Sequence, residues 1–302
     1  MGAPSKVRRV TLLVTLALIA GGCSEPPSTS QSGESFPVTI EAGNNPVRVP
    51  RRPERIVSLS PTATEILFAI GAGPQVVAVD EASSYPVEAP RTELSGYTPN
   101  IEALASYRPD LVVYSSDPGE LRDALNTLGT PALLQPAAER LEDAYRQIAQ
   151  LGTATGRRAE SSRLVESMKE RIAAITESAA EPESSYYHEL DEGYYTATSK
   201  TFIGEVYGLL GLKNIADAAG TGYVQLSGEF IVQANPDLIF LADARCCGQS
   251  AATVAARPGW DQIDAVEKGA VFPLDDDIAS RWGPRTVDFL QAIAESLEPG
   301  RP

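Results

Sequence analysis

The chain holds one histidine, His188, and three cysteines in 302 residues. One imidazole cannot build a multi-histidine metal site, and three thiols fall short of a four-thiolate zinc site or a disulfide framework. A serine hydrolase would have to pair His188 with Ser60 or another serine, and no Gly-x-Ser-x-Gly nucleophile turn occurs. His188 lies in an alternating stretch between Tyr187 and Glu189, which predicts a half-exposed sheet residue. Asp275-Asp276-Asp277 lack the alternating oxygen ligands and the glycine of a calcium loop, so no metal ligand is assigned. Cys246 and Cys247 are adjacent, with Cα atoms about 3.8 Å apart against the usual disulfide span of ~4.4–6.8 Å. Free buried thiols and a vicinal bond formed in an oxidising compartment are both open. These residues point away from an enzyme and imply no cofactor.

Charge narrows the field further. Forty acidic residues against 25 basic ones give a net charge of −15, leaving no basic footprint for nucleic acid. The composition, 43 % hydrophobic and 22 % charged, is that of a folded chain. Nothing signals obligate oligomerisation, and a monomer is expected.

Residues 1–22 read as an export leader. Lys6, Arg8 and Arg9 precede the apolar run Val10–Ala20, which is too short to span a bilayer, and Gly21-Gly22-Cys23 follows. This ending resembles the lipobox of bacterial lipoproteins, with Ala20 where leucine is usual. Acylation of Cys23 after cleavage would anchor the chain at the outer face of a membrane by lipid alone. The Ser/Pro-rich stretch within 23–36 reads as a flexible tether.

The body must then position whatever site exists. Apolar runs at 55–60, 76–80, 111–116 and 132–135 read as buried strands, alternating with helical stripes at 62–71, 101–106 and 120–128. Thr62 and Glu65 have the spacing of a capping box. The pattern returns with strands at 186–190, 238–242 and 270–274 and helices at 202–211, 230–234 and 286–297. At an offset of 127 residues, Glu102, Pro109, Asp110 and Leu111 recur as Glu229, Pro236, Asp237 and Leu238. The expectation is an α/β fold of two lobes with mainly parallel sheets, residues 37–140 and 181–302, and a ligand cleft between them. The lobes are joined by a helical segment at 141–180, in which Leu164, Met168, Ile172 and Ile175 form one face. Gly152 and Gly156 are expected to break it near its start.

Four segments, RPERIVSLSPTATEILFAIGAG, IEALASYRPDLVV, GEFIVQANPDLIFLAD and RPGW followed by DDDIASRWGPR, together resemble the periplasmic binding proteins for cobalamin and ferric siderophores. The resemblance runs from about Arg51 to Pro299 and implies a helix-linked two-lobe capture protein that serves an ABC permease dimer and its ATPase. The DDDIASRWGPR turn is most similar to the cobalamin-binding branch, so the implied ligand is a corrinoid; a ferric siderophore or haem is the alternative. On that resemblance Asp277, Arg281 and Trp282 sit at the cleft mouth, and Tyr85 and Tyr97 stack on the ligand. Ser60 and Thr62 open a helix whose N–H groups face the cleft. Glu102 and Glu229, one per lobe, would dock into arginine pockets of the permease. Other readings are a solvated loop at Asp277–Trp282, surface tyrosines, and helix-start carboxylates at the two glutamates. A sensor without a transporter and an anchored hydrolase are the remaining functions.

Overall fold

The computed structural model describes residues 1–2, 35–42, 46–117, 121–179 and 183–298. The leader, Cys23 and the tether lie outside the described residues except for Met1, Gly2, Ser35 and Phe36. The chain divides into units Met1–Glu34 and Ser35–Pro302, and every element below belongs to the second.

An antiparallel hairpin, β1 (Val38–Ile40) and β2 (Val47–Val49), opens the N-terminal lobe. There follow β3 (Ile56–Leu59), α1 (Pro61–Ala69), β4 (Val76–Val79), α2 (Ile101–Ser106), β5 (Leu111–Tyr114), α3 (Leu121–Thr127) and β6 (Ala132–Leu134). The strands pair in the order β4-β3-β5-β6, all parallel. Their apolar runs, interrupted only by the buried Ser58, reflect burial on both faces; Ile56, Val57, Leu111, Val112 and Val113 are all fully buried.

Two helices follow, α4 (Leu141–Thr155), which packs on the first lobe, and α5 (Arg158–Ser178). The chain turns between them at Gly156, whose φ of 70° is left-handed and suits glycine. Gly152 does not break the helix as expected. It lies inside α4, where a Cβ would collide with Ser161 of α5, so it lets the two helices pack closely. The link is therefore α5 alone, 21 residues or roughly 31 Å at ~1.5 Å per residue. Met168, Ile172 and Ile175 bury its inner face, and Leu164 is half-buried.

The C-terminal lobe contains β7 (Ser185–Glu189), β8 (Tyr195–Ala197), α6 (Phe202–Gly208), β9 (Lys213–Asn214), β10 (Tyr223–Gln225), α7 (Gly228–Ala234) and β11 (Leu238–Leu241). It continues with α8 (Ala244–Cys247), α9 (Ala251–Ala255), α10 (Asp264–Glu267), β12 (Val271–Pro273), α11 (Asp276–Ala279) and α12 (Thr286–Ser296). The parallel order is β9-β7-β11-β12, so both sheets wind alike, second-first-third-fourth; β8 and β10 form a separate antiparallel ribbon.

The internal repeat has a physical meaning. Arg108 and Asn235, also 127 apart, are both left-handed, with φ of 48° and 45°, and each ends a short helix before a proline. The following aspartate then pins the first strand of its sheet. Asp110 accepts from the backbone N–H of Glu54 and Arg55 at 3.0 and 2.8 Å, and Asp237 accepts from the N–H and hydroxyl of Ser185 at 2.8 and 2.7 Å. One continuous core runs from Ile66 and Val113 through Ile148 and Ile172 to Phe240 and Phe289, and so joins the lobes.

Candidate functional site

In sheets wound this way, ligands bind beyond the carboxyl ends of the strands, where the first and third strands diverge. In the N-terminal lobe that point is Ser60. Its hydroxyl accepts the Ala63 N–H at 3.3 Å and caps α1, with Pro61 at the first helical position, where no N–H is needed. Ser60 and Thr62 are buried, so neither side chain opens onto solvent.

Ser60, and not the Thr62–Glu65 pair, caps this helix, and Glu65 does something else. Its buried carboxylate accepts Arg281 Nη1 at 2.7 Å, Arg285 Nε at 2.9 Å and Arg285 Nη2 at 2.5 Å, all from the other lobe. Arg281 Nη2 also donates to Asp277 at 2.7 Å and to the Ala82 carbonyl at 3.1 Å, while the Ser84 hydroxyl donates to Asp277 at 2.8 Å. Trp282 Nε1 donates to Gln147 of α4 at 2.9 Å. The Arg285 guanidinium lies 4.3 Å from the centre of the Tyr85 ring. Asp277, Arg281 and, through Arg285, Tyr85 therefore meet at one inter-lobe junction, where Tyr85 and Arg285 line a cavity of about 380 Å³, while Trp282 makes its own crossing to α4.

Tyr97 makes none of those bonds. It follows Gly96, where a Cβ would sit 3.0 Å from the Leu59 carbonyl, so its loop hugs the carboxyl end of β3 and leaves the ring 80 % exposed. Sequence reading missed two further exposed tyrosines, Tyr195 and Tyr223. They share one face of the β8–β10 ribbon that follows the carboxyl end of β7. The adjacent Tyr194-Tyr195 was their only trace.

The equivalent point in the C-terminal lobe is charged. Glu189, at the end of β7, is fully buried and receives both guanidinium nitrogens of Arg257 at 2.5 and 2.6 Å. Arg257 lies over Trp260 at 4.6 Å and Tyr194 at 5.4 Å. Beside this pair Asp243, at the end of β11, is fully buried with neither carboxylate oxygen bonded; burial, then Glu189, push its carboxyl up to about 7. Nothing in the local sequence marks this trio, whose members are scattered from 189 to 257.

His188 is not half-exposed. It points into the core because β7 is a central strand, its Nδ1 lies 2.8 Å from the Tyr207 hydroxyl, and burial lowers its pKa to about 3. A neutral core histidine bonded to Tyr207 is no partner for Ser60, and its ring is closed to a haem iron. Cys246 and Cys247 are exposed rather than buried and joined by a vicinal disulfide in α8. Asp275 caps α11, Asp276 holds α8, and Asp277 holds Arg281 and Ser84, so the aspartate run is divided among three tasks.

Glu102 and Glu229 are both exposed, each the second residue of a short helix capped by Asn100 or Ser227. A groove of about 590 Å³ adjoins Glu229, lined by Tyr194, Val232 and Trp260.

Comparison with known proteins decides the lineage. Residues 56–278 match the family described as periplasmic binding protein. The chain belongs to that family. It is 35% identical, over 95% of both chains, to YvrC, an uncharacterized ABC transporter substrate-binding lipoprotein of Bacillus subtilis (strain 168). It is 30% identical to a cobalamin-binding protein of Halobacterium salinarum (strain R1), covering 95% of this chain and 82% of that one. The apo structure of the periplasmic haem-binding protein RhuT from Roseiflexus sp. RS-1 superposes with a TM-score of 0.73 at 25% identity, covering 82% of this chain and all of that one. This periplasmic binding protein thus shares its two-lobe, helix-linked fold with proteins that bind a substrate rather than convert it. Among the described residues no helix is long and apolar enough to cross a membrane.

Proposed function

We propose that the chain captures a cobalamin-type corrinoid between its lobes and hands it to the permease dimer of an ABC importer. The observation that carries this is the junction itself: Tyr85 and Ser84 from one lobe and Asp277, Arg281 and Arg285 from the other are tied together beyond the carboxyl ends of the strands, and Trp282 crosses to Gln147 of α4. Exposed tyrosines stand in both lobes, Tyr97 in the first and Tyr195 and Tyr223 on the ribbon of the second, offering flat apolar area to a flat macrocycle. The likeness to the Halobacterium cobalamin-binding protein, over nearly the whole chain, favours the corrinoid. The likeness to RhuT keeps haem as the second reading, with an iron ligand other than His188.

In this reading Cys23 carries the lipid that holds the protein at the outer face of the membrane. Glu102 and Glu229 meet basic pockets on the two permease subunits, one glutamate per lobe, which fixes register and speeds encounter. Calorimetric titration of residues 24–302 with cyanocobalamin, haem and a ferric siderophore in parallel tests the ligand. Saturable one-to-one binding of cyanocobalamin is expected. Binding of haem or siderophore alone would replace the ligand and keep the transport reading.

A further inference from the structure

We infer that Asp243 is an acid-operated latch on the loop that holds the ligand-side aspartates. Protonated, it stays buried and α8 is clasped by Asp276; ionised, it takes over the cap of its own helix and lets Asp276 go.

The geometry of α8 carries this. Asp243 is the residue immediately before the helix, yet its side chain caps nothing. The backbone N–H groups that an N-cap aspartate would ordinarily take are those of the second and third helical residues, Arg245 and Cys246. Both are occupied from elsewhere. Arg245 N donates to Asp276 Oδ1 at 3.1 Å and Cys246 N to Asp276 Oδ2 at 2.6 Å. The helix is thus capped in trans by a residue about thirty positions downstream, while its own aspartate is buried with both oxygens unbonded.

That arrangement suits only the neutral acid. The groups around Asp243 are Tyr187 and Glu189 of β7, Arg257 from the segment after α9, and Asp276 of α11. The single cation among them, Arg257, is already spent on Glu189 and on Gln249. Arg245, on α8 itself, is paired with Asp275 at 2.5 Å. An ionised Asp243 therefore meets two other carboxylates and no free cation, and the backbone donors its position before the helix suits are the two N–H groups that Asp276 holds, with the unpartnered Tyr187 hydroxyl the other donor facing it. Burial and Glu189 already raise its carboxyl to about 7, so the exchange falls within the ordinary range of surroundings. Asp276 is followed by Asp277, which binds Arg281 and Ser84 at the junction, so releasing Asp276 loosens the ligand side of the C-terminal lobe. That last consequence rests on the proposed corrinoid site; the latch itself does not.

The test is a pH titration from 5 to 8.5 of the ligand-free protein, read by the backbone amide resonances of Arg245 and Cys246 and the carboxyl carbon of Asp276. All three are expected to move together through one transition near neutrality. Asp243→Asn should abolish that transition, because a neutral side chain does not titrate whichever position it adopts. Asp276→Ala should move the remaining α8 transition to lower pH, because the competing cap is gone. Amides that stay flat between pH 6 and 8 in the native protein, or an unchanged transition in Asp243→Asn, would overturn the latch. In parallel, affinity for cyanocobalamin should weaken at least threefold from pH 6 to 8 in the native protein and stay constant in Asp243→Asn. The NMR transition without a corrinoid response upholds the latch and counts against the corrinoid site alone.

Discussion

Replacing Glu65 by glutamine tests whether the lobes are held by a buried charge cluster. The carboxylate accepts three N–H bonds of 2.5–2.9 Å from two guanidiniums, and the side chains of Glu65, Arg281 and Arg285 are only 1 %, 8 % and 15 % exposed. Glutamine keeps one acceptor oxygen, turns a donor toward Arg285 and leaves two buried guanidiniums short of a counter-charge. Breaking a buried pair from one side costs about 3–5 kcal/mol. Arg281 keeps Asp277, so the lower end, about 3 kcal/mol, applies. For a unit of this size, each kcal/mol moves Tm by roughly 2–4 °C, which gives a fall of about 6–12 °C. The assay is thermal unfolding followed by circular dichroism, with calorimetry to establish that the transition stays cooperative. Lys268→Ala, which removes an exposed pair with Asp264, serves as the control and should not move Tm measurably. A fall of less than about 2 °C for Glu65→Gln would refute the view that this cluster ties the lobes together.

Three further outcomes are expected. The pKa of His188, lowered from 6.5 to about 3 by burial, means that the unfolded chain takes up a proton the folded core refuses, so stability is lost as pH falls from 6.5 toward 3. At about 1.4 kcal/mol per pH unit the loss reaches roughly 5 kcal/mol as an upper limit; His188→Gln should flatten this slope in urea unfolding at pH 4 to 7, and an unchanged slope would clear His188. Gly152→Val should cost at least 1–3 kcal/mol by forcing α4 off Ser161 of α5, seen as a lower urea midpoint, whereas an unaltered midpoint would mean the helices do not touch there. Glu102→Ala combined with Glu229→Ala should abolish cellular cyanocobalamin uptake while leaving its binding intact; normal uptake would leave a sensor in place of a transport partner.

Much of this was legible because the informative signals are local. Buried parallel strands such as Leu111–Tyr114 and Leu238–Leu241 are unbroken apolar runs, and α2 spans the predicted Ile101–Ser106. The repeat survived in sequence because left-handed residue, proline and strand-pinning aspartate form one mechanical unit. What was hidden depends on distant partners. Glu65 read as a capping residue because its real partners, Arg281 and Arg285, lie 216 and 220 positions away. The trans cap from Asp276 to α8 and the unpartnered Asp243 are invisible for the same reason. The hairpin β1–β2 and the ribbon β8–β10 have three-residue strands with exposed positions, too short to show a period. Gly152 misled because a glycine inside a helix marks a break or a close neighbour equally well, and only packing tells which.

The measurement that bears most directly on capture between the lobes is the cyanocobalamin affinity of two single variants, one from each side. Tyr97→Ala removes an exposed ring from the N-terminal lobe, and Trp282→Ala removes the indole that reaches Gln147 from the C-terminal one. Each should weaken binding at least tenfold, about 1.4 kcal/mol, with the fold intact by circular dichroism. Native affinity in both variants would contradict a corrinoid held between the lobes.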